Sequence, residues 1–157
     1  MRLLAIDPGN EESALLIYDE ETKLPIWHAK LPNNEALRVI ANPGIPGVRE
    51  MHVEMIASYG MAVGKSVFET CVWIGRFVQQ WKLRTGSVPG LVYRLEVKQA
   101  ICRSPKANDS NIRQALIDRY GGKEKAIGRK ATPGPLYGIG KDVWSALAVA
   151  ITVAERG

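Results

Sequence analysis

Three acidic residues of this 157-residue chain sit where catalysis of phosphate chemistry would need them. Asp7 closes a short apolar run over residues 2–7. Glu54 lies among Val53, Met55 and Ile56 in a β-type run over residues 50–56, and Asp142 opens the last helical pattern. Hydrolysing a phosphodiester by in-line attack requires an activated water and a stabilised leaving oxyanion. Two divalent ions roughly 3.5–4 Å apart supply both, and hard cations such as Mg2+ or Mn2+ prefer carboxylate oxygens. Each acid also has a plainer role. An Asp in Asp-Pro-Gly commonly bonds its own turn, a carboxylate at a helix start meets the helix dipole, and Glu54 fits the solvent face of a half-exposed strand. Glu54 resists that reading most, because a carboxylate among apolar neighbours is costly to bury without a partner or metal.

The elements that must position these acids follow from periodicity and turn signals. Residues 2–7, 14–18 and 24–29 read as three strands, separated by Asp7-Pro8-Gly9-Asn10 and by the polar turn 19–23, and so predict an antiparallel meander. A short helix is expected over residues 33–40, a strand over 50–56 and a fifth strand over 91–95. Val67, Thr70, Cys71, Ile74, Phe77, Val78 and Trp81 recur at the spacing of one buried helix face. A stripe of that length serves a core or a dimer contact, and the helix over residues 67–81 is the candidate dimer surface. Asn108 or Asp109 caps a further helix carrying Ile112, Ala115, Leu116 and Tyr120 inward, ended by Gly121-Gly122. The last helix starts near Asp142 and buries Val143, Ala146, Leu147 and Ala150. Strands first, then alternating helices and strands, predict an α/β fold: a mixed five-stranded sheet flanked by helices.

The motifs in combination resemble those of the RuvC-type Holliday junction resolvases. Leu4-Ala5-Ile6-Asp7-Pro8-Gly9 is similar to that family's first-strand motif, and Val53-Glu54, followed by a Gly-x-Ala-x-like stretch and a long helix, to its second acidic site. Val97-Lys98-Gln99 stands in the same relative place as a family Val-Lys-Gln, and residues 142–150 resemble the last acidic helix. The resemblance spans nearly the whole chain. It implies an RNase H-like fold, a homodimer, and paired symmetric nicking of four-way DNA junctions with two Mg2+ or Mn2+ ions per site. It also makes Asp7, Glu54 and Asp142 metal ligands and Lys98 a phosphate-facing cation near the cut. The plainer reading of Lys98 is a solvated surface lysine.

Departures from the pattern are equally specific. The family usually carries a second Asp three residues into the last helix, where this chain has Ser145, which suits a weak or water-mediated ligand. Asp109 is a substitute ligand by elimination, although an N-cap is its simpler role. A family lysine near that cap is displaced, with Lys106 nearby. Where the bacterial enzymes place a base-stacking aromatic, this chain has Ala57, with Tyr59 two residues on; Tyr59 suits stacking, worth roughly 1–3 kcal/mol per base, or the core. These departures suit a phage or prophage version.

Composition bounds the alternatives. Twenty-one Lys and Arg against 16 Asp and Glu give +5 and favour polyanionic partners. Residues 121–141 hold five basic residues and one acid, and their Gly and Pro content predicts a loop that is mobile until DNA binds. Lys123, Lys125, Arg129 and Lys130 there could clamp junction arms, although most charged loops are merely solvated. Lys65, Lys106 and Arg113 complete the candidate DNA contacts. Two cysteines are too few for a zinc site or disulfide framework. A single nuclease domain over residues 1–157 is expected, with no membrane segment, no small-molecule cofactor, and a cytoplasmic setting in a bacterial cell or phage-infected host. Two other readings stand: a nuclease of this fold acting on RNA or other branched DNA, and a non-catalytic junction-binding module that has lost a carboxylate.

Overall fold

The computed structural model describes residues 1–156. Strand β1 (Arg2–Asp7) pairs antiparallel with β2 (Glu12–Asp19), and β2 with β3 (Leu24–Pro32), as the meander predicts. Helix α1 (Asn33–Ala41) leads to β4 (Val48–Met55), which returns parallel to β1. Helix α2 (Lys65–Thr85) connects to β5 (Gly90–Tyr93), parallel to β4. The sheet order is β3-β2-β1-β4-β5. Beyond it run α3 (Arg94–Cys102), α4 (Asp109–Arg119), a single turn α5 (Lys123–Ala126), a ribbon of β6 (Gly128–Arg129) with β7 (Thr132–Pro133), and α6 (Lys141–Ala154).

Alternation along the strands divides the core in two. Leu4, Ile6, Leu15, Ile17, Met51 and Val53 face the layer holding α1 and α2, while Leu3, Ala5, Ala14, Leu16 and Val92 face α3, α4 and α6. Helix α6 is buried almost all round, from Val143 and Trp144 to Thr152, because it crosses the middle of the sheet. A helix covered on all sides must be apolar on all sides, which is why residues 143–151 carry almost no polar side chain.

Several boundaries differ from the sequence pattern, each for a local reason. The expected strand over 91–95 stops at Tyr93, because the Glu96 carboxylate accepts a 2.7 Å hydrogen bond from the Tyr93 backbone N–H and starts α3. Asn108, not Asp109, caps α4, accepting from the Asn111 N–H at 2.9 Å. The stripe Thr70, Ile74, Phe77 and Trp81 of α2 is buried within the chain, so that face belongs to the core and is not a dimer surface. The segment after Gly122 is not an irregular loop. It forms α5 and the β6–β7 ribbon, pinned by buried Ala126 and Leu136. Its glycines are required by close approach, since a Cβ at Gly134 would lie 2.3 Å from the carbonyl oxygens of Lys125 and Ala126.

A buried polar relay fixes the turn that follows Asp7. The Ser13 hydroxyl lies 2.6 Å from Asn33 Oδ1 and accepts from the Gly9 N–H at 3.1 Å, while Asn33 Nδ2 donates to the Gly9 carbonyl at 2.9 Å. Both side chains are essentially inaccessible to water. Asn33→Ala should therefore strand the Ser13 hydroxyl and the Gly9 carbonyl, lowering unfolding free energy by about 1–3 kcal/mol in urea titrations. A loss under ~0.5 kcal/mol, the size usual for surface substitutions, would show that the relay contributes little.

Candidate functional site

The register of the sheet brings residues far apart in sequence to one edge. Asp7 pairs with Ala14, and Ala14 with Lys30, so Asp7 and Lys30 occupy one row across the meander. Ile6 pairs with Val53, which puts Asp7 and Glu54 at the same level on adjacent parallel strands. Paired residues share a face and successive residues alternate. Asp7, Lys30 and Glu54 consequently all lie on the side covered by α6, whose first turn carries Asp142.

The electrostatics follow from that proximity. Burial, followed by the negative charges of Glu54 and Asp142, pushes the Asp7 carboxyl up to about 8, against a smaller opposing pull from Arg94 and Lys30. Burial raises Glu54 as well, partly offset by the charge and hydrogen bonding of Arg94. Glu54 is thus not a solvent-facing strand residue; its side chain is only 12% exposed. Asp7 owes its proton affinity to burial and neighbouring charge, while Ser13 and Asn33 hold the turn beside it.

Two cations missed by the sequence reading are already engaged with these acids. Lys30 Nζ lies 2.8 Å from Asp142 Oδ2, and Arg94 Nη1 lies 3.6 Å from Glu54 Oε1. The Arg94 guanidinium also pairs with Asp109, which gives Asp109 a partner other than a metal. Lys30 offered only its alternate position in an amphipathic strand as a signal, and Arg94 only its place just after β5. Among the described residues, no three His, Cys, Asp or Glu side chains close around a single point. The acids line one rim, with Asp142 paired to Lys30 and Glu54 to Arg94.

A cleft of roughly 440 Å³ opens beside them, lined by Arg94, Asp109, Arg113, Lys141, Asp142 and Ser145, with Ser110, Ile112 and Trp144 completing its wall. Ser145 thus sits next to Asp142, as one helical turn requires. Arg113 stands over the Trp144 ring, 5.4 Å from its centroid. Lys98 lies one turn after Arg94 on α3 and is half-buried. Lys65, Lys106, Lys123, Lys125, Arg129 and Lys130 are exposed and do not line this cleft.

Tyr59 is not a core residue. It is 64% exposed and held at φ +50°, and it borders an apolar groove with Ala57, Tyr93, Leu95, Gln99 and Pro105. No helix of the described residues is long and apolar enough to cross a membrane.

This arrangement of sheet and helices is the RNase H-like fold. No family model and no curated protein sequence matches the chain. Among solved structures it is similar to Thermus thermophilus RuvC, with a TM-score of 0.69 at 17% identity over 97% of this chain and 92% of that one. It is likewise similar to T. thermophilus RuvC in complex with a Holliday junction substrate, with a TM-score of 0.67 at 16% identity over 97% and 91% of the two chains. The fold is therefore the one RuvC adopts.

The raised affinity of Asp7 has a measurable consequence in metal-free protein. A folded-state value near 8 against an ordinary carboxylate near 4 means that the folded chain holds an extra proton between those limits. That contribution is fully present below about pH 4 and is lost as pH rises through about 8. In EDTA, Asp7→Asn should melt above wild type at pH 9, with the gap closing towards pH 4. Parallel melting-temperature curves across that range would show that Asp7 is not strained by its neighbours.

Proposed function

We propose that this chain is a metal-dependent, structure-selective endonuclease that resolves four-way DNA junctions by paired symmetric nicks. The observation that carries this reading is the convergence of Asp7, Glu54 and Asp142, from β1, β4 and α6, on one edge of the RuvC fold. The RuvC structure bound to a Holliday junction substrate supports the choice of DNA.

The donor set fits hard divalent cations. It is all oxygen, and the strong upward shift at Asp7 marks a partly buried group short of positive charge. Asp7, Glu54 and Asp142 would hold Mg2+ or Mn2+, with Ser145 beside Asp142 as a weak or water-mediated donor. When bound, two such ions supply an activated water and stabilise the leaving oxyanion. Half-burial of Asp7 and Glu54 limits competing water. Arg113 and Lys141 on the cleft wall would hold a backbone phosphate, and Lys98, one turn after Arg94 on α3, would reach towards the same strand. Exposed Tyr59, beside Tyr93 in an apolar groove, offers a stacking surface for an unpaired base. The basic residues of α5 and the β6–β7 ribbon would grip junction arms from a shaped element.

Symmetric nicking needs two sites, and therefore a second copy. The core-facing stripe of α2 is committed within the chain, but its outward side presents Phe68, Val72 and Leu83, each more than 60% exposed. Those side chains are the surface we assign to the homodimer.

Cleavage of a labelled synthetic four-way junction, beside duplex, flap and RNA controls, tests the reading. With Mg2+ or Mn2+, wild type should nick the junction at symmetry-related positions, and Asp7→Asn should retain binding while losing at least ~100-fold in rate, the scale of removing a catalytic group. Equal cutting of flaps or RNA would transfer the activity to another branched or RNA substrate. Tight binding without cleavage in either metal would leave a junction-binding module.

A further inference from the structure

The acids of the site differ in how their charge is met. Asp142 is paired with Lys30, and Glu54 with Arg94, whereas Asp7 has no direct cationic partner among the described residues and depends on both cations at longer range. Two of the three acids are thus already met by a cation in the free protein. Neither pair is locked in place. The Lys30 and Asp142 side chains are 41% and 49% exposed, and ion pairs so open to water contribute little net stability. Arg94 holds a second carboxylate, Asp109, and opens onto the cleft it shares with Arg113 and Lys141. It can release Glu54 without becoming an unpaired charge.

We propose that Lys30 and Arg94 are exchangeable counter-cations: they neutralise Asp142 and Glu54 in the free protein and move to DNA phosphates when divalent ions take the carboxylates. The proposal rests on the metal-dependent nuclease reading and deepens it. In the free protein the acids form no closed cluster among the described residues, and two of the three are met by cations. It also couples the two ligands. A divalent ion must displace a resident cation, and that cation is stabilised elsewhere only if a phosphate is near. Metal and DNA therefore bind better together than apart, a reciprocal coupling. Lys30 and Arg94 act as positioning residues, since they reach the reacting centre through the carboxylates and the backbone.

The test uses the full chain and two equilibrium readouts. Calorimetric titration of Mn2+ without DNA compares wild type with Lys30→Gln, Arg94→Gln and the charge-preserving Lys30→Arg. Removing a resident cation should tighten Mn2+ binding on the order of tenfold, with Lys30→Arg close to wild type. Anisotropy of a fluorescein-labelled four-way junction should then show Lys30→Gln and Arg94→Gln weakened in Ca2+, with a salt dependence shallower by about one phosphate contact, but unchanged in EDTA. Unchanged or weaker Mn2+ binding would overturn the exchange, as would equal loss of junction affinity in both buffers. If wild type takes up Mn2+ and junction and the variants match it, the exchange alone fails. If wild type takes up neither, the nuclease reading falls with it. Melting temperatures of all variants in EDTA separate these outcomes from misfolding.

Discussion

Everything at this site depends on the two-residue alternation of a pleated sheet. Asp7, Lys30 and Glu54 belong to three different strands, yet each occupies the phase that points towards α6, and each lies at the same level of the sheet. A slip of one residue in any strand would turn its charged side chain into the layer of Ile40, Phe77 and Trp81. The register is therefore held from both sides: by Ile6, Val53 and Ile17 locked under α1 and α2, and by Ala5, Ala14 and Leu16 under α6. Small side chains at Ala5 and Ala14 let α6 come close, and that approach carries Asp142 to the acids.

The same layout concentrates negative charge in a half-buried place, an arrangement that folding alone would not favour. Desolvation and mutual repulsion raise Asp7 strongly and Glu54 in the same direction. The chain tolerates this because Lys30 and Arg94 meet part of the charge. Perturbed carboxylates of this kind concentrate where an enzyme handles charge, which is why the site, rather than the fold alone, carries the functional argument.

Turns and caps do the local positioning. The Ser13–Asn33 relay ties the Asp7 turn to the start of α1, and Glu96 ends β5 so that Arg94 leaves the sheet edge within ion-pair reach of Glu54. Arg94 then meets Asp109 because Asn108 caps α4 and leaves the Asp109 side chain free to reach across. Local hydrogen bonds thereby decide which long-range ion pairs form.

The sequence by itself determined the meander, the long amphipathic α2, the apolar α6 and the positions of Asp7, Glu54 and Asp142 at element ends, because these are written in short-range periodicity and turn chemistry. It could not decide whether the α2 stripe faced a core or a partner, since apolar spacing is the same in both cases; packing against β4 and α1 settled it. Nor could it separate a capping Asp109 from a charged partner, show Tyr59 as exposed, or find order among the glycines and prolines after residue 122. Lys30 and Arg94 were invisible for a related reason. A lysine on a strand and an arginine after one carry no local mark of their partners, and only strand register and helix docking bring them to Asp142 and Glu54.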